Sequence, residues 1–136
     1  MSETLENIVE NFSLFDDWED RYRYLIDLGR GLPHMEEALR TDSHIVRGCT
    51  SRVWLVSVKR ADGTFHFEAD SDAHIVRGLI ALLLAAYQDK SAEAILATDL
   101  AAIFKETGLD QHLSPNRRNG FYAMVERILA DVRRAA

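Results

Sequence analysis

The sequence predicts an α/β fold of the α+β kind, in which helices cover a small antiparallel β-sheet. Residues 52–59 and 65–68 are rich in β-branched and aromatic side chains and flank the turn-forming residues 61–64, a pattern typical of a β-hairpin. On both sides of this hairpin, apolar residues recur at helical spacing. With 136 residues, 47% of them apolar, we expect one domain over residues 1–136.

Two helices are predicted before the hairpin. The first spans residues 2–12. The second begins at Asp16, which together with Glu19 makes an acidic version of a capping box, and it ends at the glycines just before Pro33. Only a weak helical pattern, over residues 35–40, follows before the hairpin.

Four helical segments are predicted after the hairpin. The first is so rich in apolar residues, over residues 75–87, that it should lie at the centre of the core. The last begins with a capping serine and a proline at the first helical position, and it carries an apolar stripe. The residues able to cap these helices are Ser71 or Asp72, Ser91, Asp99 and Ser114.

One stretch of sequence occurs twice, over residues 42–48 and again, almost unchanged, over residues 72–78. The flanking residues do not match, because the first copy runs into a predicted strand and the second into the apolar helix. We therefore expect the first copy to be extended and the second to be helical, since tertiary context overrides local propensity.

Charge and composition exclude two classes of function. Sixteen basic and 22 acidic side chains give a net charge of −6, which disfavours a nucleic-acid partner. No apolar run approaches the roughly 20 residues that span a bilayer, so we expect no membrane association. A lone cysteine without a secretory signal favours a reducing, cytoplasmic location.

The one cysteine, Cys49, lies between a glycine and two small hydroxyl residues just before the first predicted strand, which predicts a tight loop. Arg47 and Arg52 flank it, and nearby cations favour the thiolate, the form of cysteine that attacks sulfur. The alternative is that Cys49 is a small, inert core residue.

The sequence also leaves two other kinds of site open. Cys49 with His44, His74 or His112 would supply zinc ligands, although their spacing matches no regular metal motif. Cys49 with His74 or His112 and with Asp72 would supply the groups of a thiol hydrolase, although scattered histidines produce such sets by chance.

Four segments of the sequence form a recognisable series, over residues 18–29, 46–54, 70–79 and 112–120. Around the cysteine, Gly48, Cys49, Ser51, Val53 and Trp54 match the pattern Gly-Cys-x-Ser-x-Val-Trp. In these segments, and in their order, the chain resembles the SufE family, the sulfur-acceptor partners of cysteine desulfurases. The resemblance implies a fold similar to that of NifU- and IscU-type scaffolds.

The resemblance also implies a function and a partner. Cys49 would receive sulfur as a persulfide from a pyridoxal-phosphate (PLP) cysteine desulfurase of the SufS or CsdA type, stimulate that enzyme, and relay the sulfur to an iron–sulfur cluster scaffold. The chain would itself be a carrier rather than an enzyme, and the PLP cofactor would belong to the partner. A stand-alone thiol-dependent hydrolase or transferase is the alternative. With one cysteine, the monomer lacks the ligands of a cluster scaffold.

Two further site residues carry over from the resemblance. Asp72 is expected to control the Cys49 loop, or else to act only as a helix cap. Arg117 is expected to contact the desulfurase, or else to be a solvated charge. No bound metal is expected, and the sequence leaves open which desulfurase is the partner, which protein finally accepts the sulfur, and whether the chain forms a homodimer.

Overall fold

A computed structural model describes residues 4–48 and 51–135, and within them the chain forms a three-stranded antiparallel sheet and seven α-helices. The strands are β1 (Val53–Lys59), β2 (Thr64–Ser71) and β3 (Lys90–Ser91), with β2 in the centre. The helices are α1 (Leu5–Leu14), α2 (Trp18–Arg30), α3 (His74–Tyr87), α4 (Ala92–Ala97), α5 (Leu100–Glu106), α6 (Leu109–His112) and α7 (Pro115–Ala135). The predicted α+β fold is confirmed.

The sheet consists of the predicted hairpin and one strand that the sequence pattern did not reveal. In the hairpin, Val53 pairs with Ser71 and Lys59 pairs with Phe65. Strand β3 pairs Lys90 with Phe65. A strand of two residues leaves no alternating pattern to recognise in the sequence.

Helix α3 lies at the centre of the core, as its composition predicted, and nine of its residues are buried. It crosses α2 closely at two glycines. A Cβ atom on Gly29 would lie 2.6 Å from the backbone nitrogen of Gly78, and a Cβ on Gly78 would overlap the carbonyl oxygen of Leu25. Because both obstacles are backbone atoms, the two helices can approach this closely only if glycine occupies both positions.

Side chains cap the first two helices, and the cap of α2 differs from the predicted one. The described part of α1 begins after Thr4, whose side chain accepts the amide of Asn7, and the helix continues to Leu14; the predicted start at Ser2 lies outside the described residues. Asp17, not Asp16, caps α2, since its carboxylate accepts the amide hydrogen of Glu19. Adjacent aspartates offer the same chemistry, so local sequence could not separate them.

The later helices follow their predicted caps, with one addition. Ser91, Asp99 and Ser114 each accept an amide hydrogen bond at the start of α4, α5 and α7. Gly108 adopts the left-handed conformation (φ +79°) and leads into α6, a four-residue helix that the sequence did not predict. No helix in the described part of the chain is long and apolar enough to cross a membrane.

The two copies of the repeated sequence adopt different structures. From His74 onward the second copy is helical, as predicted, and forms the start of α3, while Asp72 and Ala73 precede the helix. The first copy forms a short 3-10 turn over Asp42–His44 before Ile45 pairs with Trp54 in an isolated β-bridge. The expected extended conformation is therefore present only around Ile45, because a turn at residues 47–48 ends the first copy.

We predict that replacing Gly78 with alanine destabilises the protein by at least about 1–3 kcal/mol, because the new methyl group meets backbone that cannot be moved without separating α2 and α3. Gly31→Ala is the matched control. Its Cβ would meet the Leu28 carbonyl oxygen at 3.5 Å, an ordinary contact. Urea unfolding of both variants measures the two effects, and equal stability would contradict the close crossing.

Candidate functional site

A β-bridge joins the two ends of the segment over residues 46–53 that carries Cys49, the cysteine segment. The amide of Val46 donates to the carbonyl of Val53 (N···O 2.9 Å), and Ile45 pairs with Trp54 beside it. Cys49 lies outside the described residues, so its role as sulfur acceptor stays a prediction. What the structure describes is the chain on either side of residues 49–50.

Gly48, directly before Cys49, has a positive φ of +94°. Residues other than glycine rarely adopt this backbone conformation. A Cβ atom at Gly48 would also lie 3.3 Å from the Cβ of Ala123 on α7. The positive φ therefore favours glycine at this turn, and a Cβ atom there would also crowd Ala123.

A cavity of about 180 Å³ lies beside Ser51, which follows Cys49 by two positions in the sequence. Residues from three of the four recognised segments line it, and residues of α7 complete its wall. Its polar lining consists of Ser51, Ser114, Asn116 and Arg117, and its apolar lining of Val53, Val76, Leu79, Phe121 and Met124. The fold therefore gathers segments that are distant in sequence around the residues next to Cys49.

Arg117 lies at this cavity, in the first turn of α7, as predicted from the Ser114–Pro115 start. Its backbone amide donates to Ser114 Oγ (3.3 Å), while its exposed guanidinium makes no hydrogen bond or ion pair with any other described residue. Arg118 differs, because its guanidinium donates to the Asp110 carbonyl (3.0 Å) and ties α7 to α6. Only Arg117 of this pair has its charge available at the cavity.

Asp72 does not cap α3, and the interpretation of this residue as a helix cap is wrong. The cap position is held by Ala73, which has no side-chain oxygen, and the Ala73 amide donates to Ser71 Oγ (3.2 Å) before the helix begins. Asp72 is exposed, and its carboxylate makes no hydrogen bond or ion pair with another described residue. Its role in controlling the Cys49 loop stays a prediction.

Two residues before Asp72 lies a carboxylate that sequence reasoning missed. Asp70 is fully buried at the end of β2. Its Oδ2 accepts the amide of Met35 (3.0 Å) and the guanidinium of Arg40 (2.5 Å). Its Oδ1 accepts the amide of Ser71 (2.8 Å) and the guanidinium of Arg77. The sequence offered one signal for this buried carboxylate. Asp70 closely follows the apolar residues of a predicted strand, and an arginine lies seven residues later.

The environment of Asp70 favours its charged form. Burial alone raises the pKa of a carboxyl group, but here the amides of Met35 and Ser71, followed by Arg40 and Arg77, outweigh it and hold the pKa of Asp70 below its ordinary value. Asp70 is therefore a charged anchor rather than a general acid. It joins strand β2 and helix α3 to residues 35–40, which lead toward the cysteine segment.

Two of the histidines proposed as partners of Cys49 are bound to backbone carbonyls. His44 Nδ1 donates to Leu39 (2.8 Å), and His112 Nδ1 donates to Gly108 (3.0 Å) while its ring stacks on Trp18 at 3.7 Å. Within residues 4–48 and 51–135, no three His, Cys, Asp or Glu side chains are grouped so that they could hold a metal ion. Combinations that include Cys49 itself lie outside this description.

The family model described as "SufE: Fe-S metabolism associated domain" matches residues 6–132. The chain belongs to the SufE family. It is 49% identical over 98% of its length to an uncharacterized SufE-like protein of Rhizobium etli, covering 93% of that protein. It is 46% identical to a second such protein, from Rhizobium meliloti, over 94% of each chain.

A solved structure shares the fold of this SufE family member. It is the solution structure of a hypothetical protein from Thermus thermophilus, with a TM-score of 0.78 over 96% of this chain and 94% of that one. At 22% identity, this likeness supports the fold alone. Family membership supports a role in iron–sulfur metabolism and sulfur transfer, and it implies a cysteine desulfurase partner in general.

We predict that Asp70→Asn lowers the free energy of unfolding at pH 7 by about 3–5 kcal/mol, because it leaves the buried Arg77 without a carboxylate. Asp72→Asn, which changes an exposed carboxylate nearby, is the control and should be close to neutral. Chemical denaturation at neutral pH measures both changes. Similar small losses in the two variants would show that Asp70 does not anchor the structure.

The same variants test the acid dependence of stability. Since the pKa of Asp70 is lower in the folded than in the unfolded chain, its contribution is complete above the unfolded-state value of about 3.9 and is lost as the pH falls through the folded-state pKa. The parent should therefore lose more stability on acidification below that value than Asp70→Asn does. Identical acid slopes would contradict the charged-anchor assignment.

Proposed function

We propose that Cys49 accepts sulfur as a persulfide from a PLP-dependent cysteine desulfurase and relays it to iron–sulfur cluster assembly, stimulating the desulfurase without being an enzyme itself. The observation that supports this most directly is the convergence of three recognised segments on one cavity next to the cysteine segment. A free-thiol carrier of this kind works in a reducing compartment, so the proposed location is the cytoplasm.

The transfer is a thiol–disulfide type of exchange. The Cys49 thiolate attacks the outer sulfur of the partner's cysteine persulfide and forms a new S–S bond. The partner's S–S bond breaks, and its electron pair stays on the partner's cysteine as a thiolate. The outer sulfur keeps its proton, so the product on this chain is Cys49–S–SH. No net oxidation occurs, and no cofactor is needed on this side of the exchange.

The size of the cavity favours a carrier over a stand-alone thiol enzyme. Pockets that hold small-molecule substrates typically measure about 300–1,000 Å³, whereas this one measures about 180 Å³. Such a volume suits one side chain with an added sulfur better than a separate substrate. Its apolar lining would limit access of water and reductants to a persulfide, and Ser51, Ser114 and Asn116 offer hydrogen-bonding groups at its edge.

The position of Arg117 supports docking to an acidic surface of the desulfurase. The first turn of a helix is its positive end, where an exposed cation costs about 0.3–1 kcal/mol. Arg117 nevertheless stands there without a partner among the described residues, at the cavity beside the cysteine segment. Such locally unfavourable placements are expected at functional sites. A contact between Arg117 and the acidic surface of the partner would compensate for the cost.

We predict that the parent chain gains one sulfur, about 32 Da, on incubation with a desulfurase and cysteine, and that Cys49→Ser gains none because a hydroxyl cannot form a persulfide. Intact-mass spectrometry measures the gain, and desulfurase turnover should fall to the unassisted rate with the serine variant. A parent chain without added mass would favour the stand-alone thiol enzyme. A serine variant that still stimulated turnover fully would replace the relay by allosteric activation.

We also predict that Arg117→Ala weakens desulfurase binding and reduces its salt dependence, because one charge contact is lost. Stability should be equal or slightly higher, since a cation leaves the positive end of α7. Arg133→Ala is the control, an exposed arginine in the last turn of the same helix. Calorimetry gives the dissociation constant of the desulfurase complex at low and at high salt. If Arg117→Ala leaves both values unchanged, Arg117 is an ordinary solvated charge.

A further inference from the structure

Ser71 uses its whole side chain to join two segments. It is the last residue of β2 and is 4% exposed. Its hydroxyl donates to the carbonyl of Arg52 (2.6 Å) and accepts the amide of Ala73 (3.2 Å). Its own amide donates to Asp70 (2.8 Å). A buried serine with its donor and acceptor both occupied is a specific connection rather than a filler of space.

The bond to Arg52 extends the hairpin beyond its last backbone pair. Ser71 pairs with Val53 in the β1–β2 ladder, and its hydroxyl reaches one residue further, to Arg52. Arg52 follows Cys49 by three positions. Its side chain is exposed, so it is the backbone of Arg52 that is fixed. The downstream arm of the cysteine segment is thus attached to β2 through one hydroxyl group.

The chain before the cysteine segment is attached to β2 through Asp70, the neighbour of Ser71. Asp70 accepts the amide of Met35 and the guanidinium of Arg40, and the Arg40 guanidinium lies 5.1 Å from the ring centre of Trp54. Two consecutive residues at the end of β2, Asp70 and Ser71, therefore hold the chain on both sides of the cysteine segment. Neither residue lines the cavity beside Ser51.

We propose that Ser71 is a positioning residue for sulfur transfer, which acts by fixing the Arg52 carbonyl and thereby the segment that presents Cys49. This inference rests on the proposed function. Sulfur exchange requires the thiolate and the outer sulfur to meet at near-contact distance and in line, and a wider range of loop positions lowers the fraction of encounters that react. Because Ser71 is buried, its loss should change the reaction step and not the docking of the partner.

The test compares three variants. Ser71→Ala removes the hydroxyl, and Ser71→Thr keeps it. Ser57→Ala is the control, since Ser57 is a half-buried serine on β1 whose hydroxyl donates to Asp131 (2.8 Å), away from the cysteine segment. Sulfur acceptance is followed by intact mass at increasing concentrations of the variant chain, which separates the maximal rate from the half-saturating concentration. Alkylation of Cys49 by iodoacetamide, far below unfolding, is measured without the desulfurase.

For Ser71→Ala we expect the maximal rate of sulfur acceptance to fall, and Cys49 alkylation to rise, each by about three- to tenfold, the range for loss of one hydrogen bond. The half-saturating concentration should stay within a factor of about two, because the docking surface is untouched. Ser71→Thr should restore both rates toward the parent. Ser57→Ala should lower stability similarly and change neither rate.

Two results would overturn the role of Ser71. One is sulfur acceptance and alkylation in Ser71→Ala at the rates of the parent. The other is a change in both rates in Ser57→Ala equal to that in Ser71→Ala, which would show that a general loss of stability causes the effect. A parent chain that accepts no sulfur overturns the proposed function, whereas a parent that accepts it no faster than Ser71→Ala overturns only the positioning role.

Discussion

The buried carboxylate of Asp70 is the interaction on which the arrangement around the cysteine segment depends. It receives hydrogen bonds from residues 35–40, from its own strand and from α3. One side chain thus joins three parts of the chain. A buried ion pair adds little net stability over apolar packing, but removing one member leaves an uncompensated charge. Its main effect is to permit one geometry, in which the cysteine segment starts from a fixed place.

Asp70 can act in this way only because α2 and α3 approach closely. Gly29 and Gly78 let the two backbones touch, and Arg77, next to Gly78, is held where one nitrogen of its guanidinium meets Asp70 and another donates to the Leu32 carbonyl (2.6 Å), just beyond the end of α2. The glycines, the arginine and the aspartate form one constraint. A change at the crossing in either of the segments over residues 18–29 and 70–79 would therefore displace the other.

Features governed by local rules were predictable, and features that depend on distant partners were not. The hairpin, the apolar helix α3 and the caps at Ser91, Asp99 and Ser114 each depend on residues close in sequence. Asp72 is a plausible cap by local rules, yet Ala73 holds that position. The buried carboxylate of Asp70, two residues earlier, is recognisable only from its contacts with Met35 and Arg40, which are distant in sequence. Placement of Arg117 at the cavity likewise needed α7 to fold against β1 and α3.

Rigid support and exposed charge serve different parts of the proposed function. The chain carries a net charge of −6, yet Arg47, Arg52 and Arg117 are all exposed around the cysteine segment and its cavity. An acidic molecule with one locally basic region is repelled from acidic surfaces in most orientations and attracted in one, which favours oriented docking. The same cations would favour a thiolate over a thiol at Cys49. Arg52 and Arg117 are held through backbone atoms, and neither side chain has a partner among the described residues. Their charges therefore stay available, while Asp70 and Ser71 keep the backbone beneath them fixed.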